Sequence, residues 1–277
     1  MKADAGLVVQ LAIWAGQHAL PLFFLLLTLL LAATVAGWWF LRRACARRTL
    51  RAGSPRPAIG RRLAVGFFII LAGATVFAGL DTQLGAAQTL VRADQALTDA
   101  LDTSVAPLTQ HVFAALTHLA DTATLTVLCI GMAIALVARG RRGLALGWVV
   151  ALAGNGLLNQ TLKQIVGRAR PLEPHNLVHA AGLSFPSGHS SGAVVAYGML
   201  GYLALRLLPQ RWQLPQRWQL PTLLAAVTLA FTIGASRLFL RVHFASDVIA
   251  GFASGTAWLA LCITGIEFVR WWRSRSA

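Results

Sequence analysis

The chain has 277 residues, of which 57% are hydrophobic and only 12% are charged, and its mean hydropathy is +0.65. Soluble globular proteins carry about 25% charged residues, so the composition excludes an ordinary soluble domain and indicates an integral membrane protein built from helices. The formal net charge of +15 raises the alternative of nucleic-acid binding. We reject nucleic acid as a partner, because the arginines border apolar runs, where anionic lipid headgroups account for them.

The N-terminal part of the chain predicts one short helix and two membrane spans. Residues 6–16 are apolar but too few to cross a bilayer, and we place them in the membrane interface. The spans cover residues 20–41 and 63–80. Residues 42–62 lie between them with eight arginines and no acidic residue, so the positive-inside rule makes this loop cytoplasmic.

Residues 81–121 form the most polar connection, and their charged residues are mainly aspartates. The apolar residues recur at helical spacing, as at Leu97, Leu101, Val105 and Leu108. This pattern predicts an amphipathic helix on the outer membrane surface.

Five further spans complete the prediction of seven. They cover residues 123–138, 144–162, 189–208, 222–235 and 248–269. The resulting topology places 17 of the 22 arginines on the cytoplasmic side, with Glu267 as the only acidic residue there. The N-terminus then lies outside and the C-terminus inside. The hexapeptide QRWQLP occurs twice, at 210–215 and 216–221, and is interpreted as a duplication that lengthens a cytoplasmic turn.

Three polar clusters fall at the predicted outer ends of different spans. The first contains Lys163 and Arg170, and the third begins with Arg237. Ionisable groups near the hydrocarbon boundary are costly and usually functional. The neighbouring sequence does not supply three acidic residues that could neutralise these three cations. A bound phosphate supplies the missing negative charge, since arginine and lysine both bind phosphoryl oxygens well. Arg168 lies between Lys163 and Arg170 in the sequence. We interpret it as a residue whose charged end snorkels to the membrane interface, and we leave it outside the site.

The second cluster is Pro186-Ser187-Gly188-His189, which opens a predicted helix. Ser187 is a good helix cap, and Gly188 permits a ligand to approach the backbone. The free N–H groups at a helix start bind anions. Taken alone, this tetrapeptide is weak support for a phosphate site, because Ser-Gly helix starts are common.

The third cluster adds His243 and Asp247, which are four residues apart and share a helix face. An aspartate in that position holds the imidazole in one tautomer. We therefore predict that His243 attacks phosphorus and that His189 protonates the departing oxygen. With three cations on the phosphoryl oxygens, no metal or other cofactor is required.

Two other groups of residues were considered for the site and set aside. His111 and His118 share a helix face, but no third ligand lies nearby, so we interpret them as interfacial histidines rather than a metal site. Glu173, His175 and His179 lie in a loop that is predicted to border the entrance.

Together, the three clusters resemble the signature motifs of the type 2 phosphatidic acid phosphatase (PAP2) family of membrane lipid phosphatases. The resemblance covers about residue 81 to the end, and all three motifs occur in the family's order. It implies a six-span, all-α core with metal-independent removal of phosphate from a lipid. The implied catalytic residues are His243, His189 and Asp247. The implied phosphate-binding residues are Lys163, Arg170, Ser187, Gly188 and Arg237.

The domain expectation follows from that resemblance. Residues 1–62 form an added span with its basic loop, and residues 63–277 form the PAP2-like phosphatase core. The expected substrates are lipid phosphates or diphosphates of the undecaprenyl diphosphate or phosphatidylglycerophosphate type. The expected location is a bacterial inner membrane with the active site facing the periplasm. A lipid phosphotransferase and a non-catalytic lipid-phosphate binder or transporter remain as alternatives, and the sequence does not set the oligomeric state.

Overall fold

The computed structural model describes residues 2–52, 58–86, 88–171, 178, 181–212 and 218–276. Glu173, His175 and His179 lie outside these residues, as do the centres of the basic loop and of the QRWQLP repeat. The described chain contains ten α-helices and no strand, which confirms the all-α prediction. The helices are α1 (Lys2–Gln17), α2 (Ala19–Ala52), α3 (Ala58–Ala86), α4 (Gln88–Ser104), α5 (Pro107–Thr117), α6 (Thr122–Ala138), α7 (Arg142–Val166), α8 (Gly188–Trp212), α9 (Gln219–Phe239) and α10 (Ala245–Ser276).

Within the described residues, four helical segments are long and apolar enough to cross a membrane on their own. They lie in α2, α3, α9 and α10. A fifth span results if α5 and α6, which bend by 41° at Asp121, count as one. The α7 and α8 helices are each 25 residues long, but polar side chains lower their hydropathy, as Asn155 and Asn159 do in α7 and His189 and Ser190 do in α8. The count of seven spans therefore stays a prediction.

The polar connection contains two helices and a short 3₁₀ turn rather than a single helix. The α4 helix ends at Ser104, and Pro107 begins α5 as its first residue, where a proline needs no N–H partner. The predicted short N-terminal segment forms α1, which packs against α4: a Cβ built on Gly16 would lie 2.6 Å from Cβ of Ala100.

The helices pack through two main apolar clusters. Trp148, Val195 and Met199 are fully buried between α6, α7 and α8, and the Trp148 indole donates to the Cys129 carbonyl at 2.9 Å. The second cluster joins α2, α5 and α9 through aromatic rings. Phe113 stacks on Phe239 with ring centroids 4.2 Å apart, and Phe23 meets the Phe113 ring edge-on. Burial of aromatic rings contributes strongly to such packing.

The start of α8 lies directly against the first turns of α10. A Cβ built on Gly251 would lie 2.6 Å from the Ser187 carbonyl oxygen and 2.8 Å from Cβ of Ser190. Small residues of this kind let two membrane helices approach closely. This contact fixes His189, at the start of α8, relative to Asp247, at the start of α10.

We expect Gly251→Ala to destabilise the protein by about 1–3 kcal/mol, the usual cost of forcing a methyl group into a packed site. It should also reduce activity, because α8 and α10 carry the site. Thermal unfolding in detergent, followed by tryptophan fluorescence, measures the effect. The control is Gly131→Ala on α6, where nothing lies within 4 Å of the added Cβ. Equal stability of the two variants would contradict the close packing.

Candidate active site

The three clusters predicted from sequence meet at one cavity of about 680 Å³ between α6, α7, the start of α8 and the end of α9. Five of the predicted residues with ionisable side chains line its polar end directly. They are Lys163, Arg170, His189, Arg237 and His243. They are spread over 80 positions of the chain, from Lys163 near the end of α7 to His243 just before α10, so the fold brings them together.

Asp247 is fully buried beneath this polar end and joins the clusters to one another. Its Oδ1 accepts from Nη1 of Arg168 at 2.7 Å. Its Oδ2 accepts from the Ser184 hydroxyl and from the Phe244 N–H, the latter at 3.0 Å. Its main-chain carbonyl accepts from the Ser187 N–H at 2.9 Å. A buried carboxylate needs such donors to offset the loss of water.

The contacts of His243 specify its tautomer. Nδ1 lies 3.2 Å from Oγ of Ser184 and 3.4 Å from Oδ2 of Asp247. Because the Ser184 hydroxyl donates to Asp247, its oxygen is left to accept, and Nδ1 therefore carries the hydrogen. Nε2 is then unprotonated and accepts from Nη1 of Arg170 at 2.9 Å. Its lone pair is directed toward the group of cations.

Burial lowers the pKa of His243 to about 3, and the cations Arg170 and Arg237 act in the same direction against the hydrogen bond to Asp247. The imidazole is consequently neutral at physiological pH. A neutral imidazole with a free Nε2 lone pair is the form that can act as a nucleophile.

His189 has a carboxylate partner of its own, which the sequence did not identify. Nε2 of His189 lies 2.9 Å from Oδ1 of Asp121, and Oδ2 of Asp121 lies 2.7 Å from Nδ1 of the exposed His118. Partial burial raises the pKa of Asp121, but the hydrogen bonds with both histidines outweigh it and leave that pKa below its usual value. The ionised carboxylate favours the protonated form of His189, whereas burial and the nearby Arg237 disfavour it.

The remaining cations face the cavity with few neutralising partners. Arg237 is 2% exposed and donates from Nη1 to the Thr117 hydroxyl at 2.7 Å. Its Nε is buried and has no hydrogen-bond partner within the part of the chain that the structure describes. The Lys163 ammonium donates to the carbonyls of Leu183 and Ser184. An unpaired buried guanidinium donor is costly, and a phosphoryl oxygen would satisfy it.

Ser187 and Gly188 occupy the start of α8, as predicted. The Ser187 hydroxyl caps the helix by accepting from the Ser190 N–H at 3.3 Å. Gly188 lines the cavity, whereas the buried Ser187 side chain does not. Phosphate contact by these two residues stays a prediction, and for Ser187 the structure places both its N–H and its hydroxyl in internal hydrogen bonds.

Arg168 was left outside the site by sequence reasoning, and the interpretation as a snorkelling residue is wrong. Its guanidinium bridges two buried carboxylates: Nη1 pairs with Asp247 at 2.7 Å and Nη2 with Asp94 at 2.8 Å. Asp94, on α4, also accepts from the Ser246 N–H at 3.1 Å. The burial of Asp94 could not be seen in the sequence, because its partner Arg168 is 74 positions away along the chain.

The other end of the same cavity is apolar. It extends between α6 and α7, where Leu125, Cys129, Ile130 and Leu152 line it. From Lys163 to Leu152 the α7 helix rises about 16 Å. The cavity therefore joins a cationic end to an apolar wall within the hydrophobic part of the bundle.

His111 and His118, which were set aside during sequence analysis, make local contacts with Pro107 and Asp121. Within the described residues no group of three or more His, Cys, Asp or Glu side chains is placed to hold a metal ion. His111 bonds the Pro107 carbonyl through Nδ1 at 2.8 Å, apart from the cavity.

Comparison with known proteins gives relatives that match this region. The family model described as the PAP2 superfamily matches residues 144–271, from α7 to α10. Phosphatidylglycerophosphatase B of Bacillus subtilis is 32% identical over 191 residues, which are 68% of this chain and 86% of that protein. Lipid A 1-phosphatase of Rhizobium johnstonii is 37% identical over 125 residues, 42% of this chain and 44% of the relative.

A solved structure agrees with the sequence matches. The crystal structure of a transmembrane PAP2-type phosphatidylglycerolphosphate phosphatase from Bacillus subtilis superposes with a TM-score of 0.67 at 27% identity. The match covers 73% of this chain and 98% of the other. It confirms the prediction of a polytopic membrane helix bundle. Because the family model matches α7 to α10, and the phosphatidylglycerophosphatase B match covers 86% of that relative at 32% identity, the chain belongs to the PAP2 superfamily.

Proposed function

We propose that this integral membrane phosphatase hydrolyses a lipid phosphate through a covalent phosphohistidine on His243. The observation that carries the proposal is the two-ended cavity. Its polar end combines three cations with two histidines, and its other end is an apolar wall between α6 and α7. A phosphate-bearing lipid fits both ends, because the headgroup meets the cations while the acyl chains remain in the bundle or the bilayer.

In the first chemical step, Nε2 of His243 attacks phosphorus and forms the N–P bond as the P–O bond to the leaving group breaks. His189 gives its proton to that oxygen, and the lipid alcohol departs. Asp121 binds Nε2 of His189, which leaves the other ring nitrogen for the leaving group. The positive charge on phosphorylated His243 is balanced by Asp247, 3.4 Å from Nδ1.

In the second step, water attacks the phosphohistidine, and the N–P bond breaks. The neutral His189 accepts the water proton, so inorganic phosphate leaves and both histidines return to their starting states. Arg170, Arg237 and Lys163 stabilise the charge on the equatorial oxygens in both transition states. Arg170 is closest to the nucleophile, at 2.9 Å from Nε2.

The names of the relatives suggest the class of substrate. We infer a phosphomonoester of a phospholipid or glycolipid, of the phosphatidylglycerophosphate or lipid A 1-phosphate type, with undecaprenyl diphosphate as a further candidate. The arginine distribution supports an inner-membrane location with the cavity facing the periplasm. The division into an added N-terminal part, 1–62, and a phosphatase core, 63–277, also stays a proposal.

We expect His243→Ala to lower lipid phosphatase activity by at least about 10³-fold, because it removes the proposed nucleophile. With a ³²P-labelled lipid, the parent protein should carry a label that is stable in alkali and lost in acid, as expected of phosphohistidine. The matched control is His111→Ala, which removes an exposed histidine outside the cavity. Covalent label on the His243→Ala protein would refute the proposed nucleophile. Transfer of label to an acceptor lipid instead of inorganic phosphate would identify a phosphotransferase.

Phosphate release should be unchanged by an excess of EDTA, because cationic side chains rather than a metal neutralise the phosphate in this proposal. The assay compares initial rates with and without chelator on the same lipid in mixed micelles. Loss of activity with EDTA that returns on addition of Mg²⁺ would contradict the metal-independent mechanism.

Arg168→Ala should reduce kcat by about 10²-fold with little change in KM, because Arg168 positions Asp247 without lining the cavity. The substitution leaves two buried carboxylates without their cation, so we expect Asp94→Asn to restore part of the loss by removing one of them. Arg92→Ala, on the exposed face of α4, is the control. A rise in KM with unchanged kcat would show that Arg168 acts in substrate binding instead.

A further inference from the structure

A second groove lies at the opposite end of the bundle from the proposed catalytic cavity. It has a volume of about 560 Å³ and is formed by the start of α7 and the later turns of α8 and α10. Five arginines border it: Arg141, Arg142, Arg206, Arg270 and Arg273.

The charge at this groove is strongly unbalanced. Glu267 is the one acidic residue of the sequence on these turns, and it pairs with Arg206 at 2.9 Å and with Arg270 at 3.6 Å. Five guanidinium groups thus face one carboxylate, so the groove has a net positive potential. A concave site of that charge favours an anion.

The walls of the groove specify what kind of anion fits. Below the arginines, Leu146 and Val150 of α7 face Trp258 and Leu261 of α10. Leu146 is 67% exposed and Leu261 is 49% exposed, so the apolar wall opens outward to the bilayer. A soluble anion has no apolar surface to bury against this wall, whereas an acyl chain packs against it. Basic pockets between membrane helices are typical sites for anionic lipid headgroups.

The position of the groove separates it from the reaction. From Arg142 to Lys163 the α7 helix rises about 32 Å, which is close to the thickness of the hydrocarbon core. A lipid in the groove therefore lies in the other leaflet. The same three helices carry Lys163, His189 and Asp247 at their far ends, so a ligand here contacts three of the helices that carry the proposed active site.

We propose that this groove binds an anionic phospholipid of the opposite leaflet, with its phosphate on the arginines and an acyl chain along the wall of α7 and α10. A lipid that binds the folded bundle and not the unfolded chain stabilises the folded state by mass action. The bound lipid thereby holds α7, α8 and α10 together at the end remote from the chemistry.

The test measures thermal unfolding of the full-length protein in a nonionic detergent during titration with phosphatidylglycerol, with phosphatidylcholine as the neutral comparison. Phosphatidylglycerol should raise the unfolding temperature, and phosphatidylcholine should not. The double variant Arg142→Gln with Arg273→Gln should need about tenfold more phosphatidylglycerol or more for the same shift, the scale of removing two arginines from an anionic headgroup.

The matched control is Arg139→Gln with Arg275→Gln, which removes two exposed arginines from the same end without touching the groove. It should titrate like the parent protein. Arg237→Gln disrupts the catalytic cavity and should also keep the response, which separates this site from binding at the active site. This result does not depend on the proposed catalytic mechanism.

A variant that places a larger apolar side chain in the groove provides an independent check without a change of charge. Gly265 lines the groove, and nothing lies within 4 Å of a Cβ built on it. Gly265→Leu should occupy the groove and weaken the response to phosphatidylglycerol, whereas Gly131→Leu, equally open but on α6, should not. Equal loss in the two arginine double variants would overturn the proposal in favour of a diffuse charge effect. An equal shift with inorganic phosphate would overturn it in favour of a soluble anion site.

Discussion

Burial of the Asp247 carboxylate is the constraint on which the polar end of the bundle depends. A carboxylate without water must be surrounded by donors, and here the donors come from three separate segments. Arg168 follows α7, Ser184 precedes α8, and the Phe244 N–H lies just before α10. The hydrogen bonds to this one carboxylate therefore hold the loop after α7 against the start of α10. The orientation of His243 is a consequence of the same closure, because its Nδ1 faces the Ser184 and Asp247 oxygens.

The residues that line the polar cavity were predictable because each carries an anomaly visible in sequence. Lys163, Arg170 and Arg237 are charges at the ends of apolar runs, and His243 precedes Asp247 by four positions. Their partners were not predictable. Asp94 and Asp121 are two of several aspartates in one polar connection, and nothing local distinguishes them from exposed neighbours. Their roles arise from the packing of α4 against the bundle and from the 41° bend at Asp121, both of which are tertiary.

Polar side chains directed into the bundle explain which membrane spans a hydropathy criterion detects. The α2 and α3 helices face mainly lipid, and their composition is correspondingly apolar. The α7 and α8 helices carry amides and hydroxyls inward, where Asn155 and Asn159 both donate to Oγ of Ser191 at 3.4 and 3.3 Å. Such side chains lower the mean hydropathy of a helix while remaining satisfied inside the bundle. A hydropathy criterion thus passes over α7 and α8, which carry Lys163 and His189, although it detects α9 and α10.

The contact between Arg170 and His243 links recognition of phosphate to exposure of the proposed nucleophile. Nη1 of Arg170 donates to Nε2 at 2.9 Å and to the Val242 carbonyl at 2.8 Å, so the guanidinium covers the lone pair that would attack phosphorus. A lipid without phosphate offers Arg170 no stronger acceptor, and Nε2 stays covered. A phosphoryl oxygen does, since it carries a negative charge that the neutral imidazole lacks and forms short, charge-assisted hydrogen bonds with a guanidinium. Binding of the phosphate would then draw Arg170 from Nε2 toward the oxygen that needs it in the transition state, so the attraction that selects the substrate also uncovers the nitrogen that reacts with it.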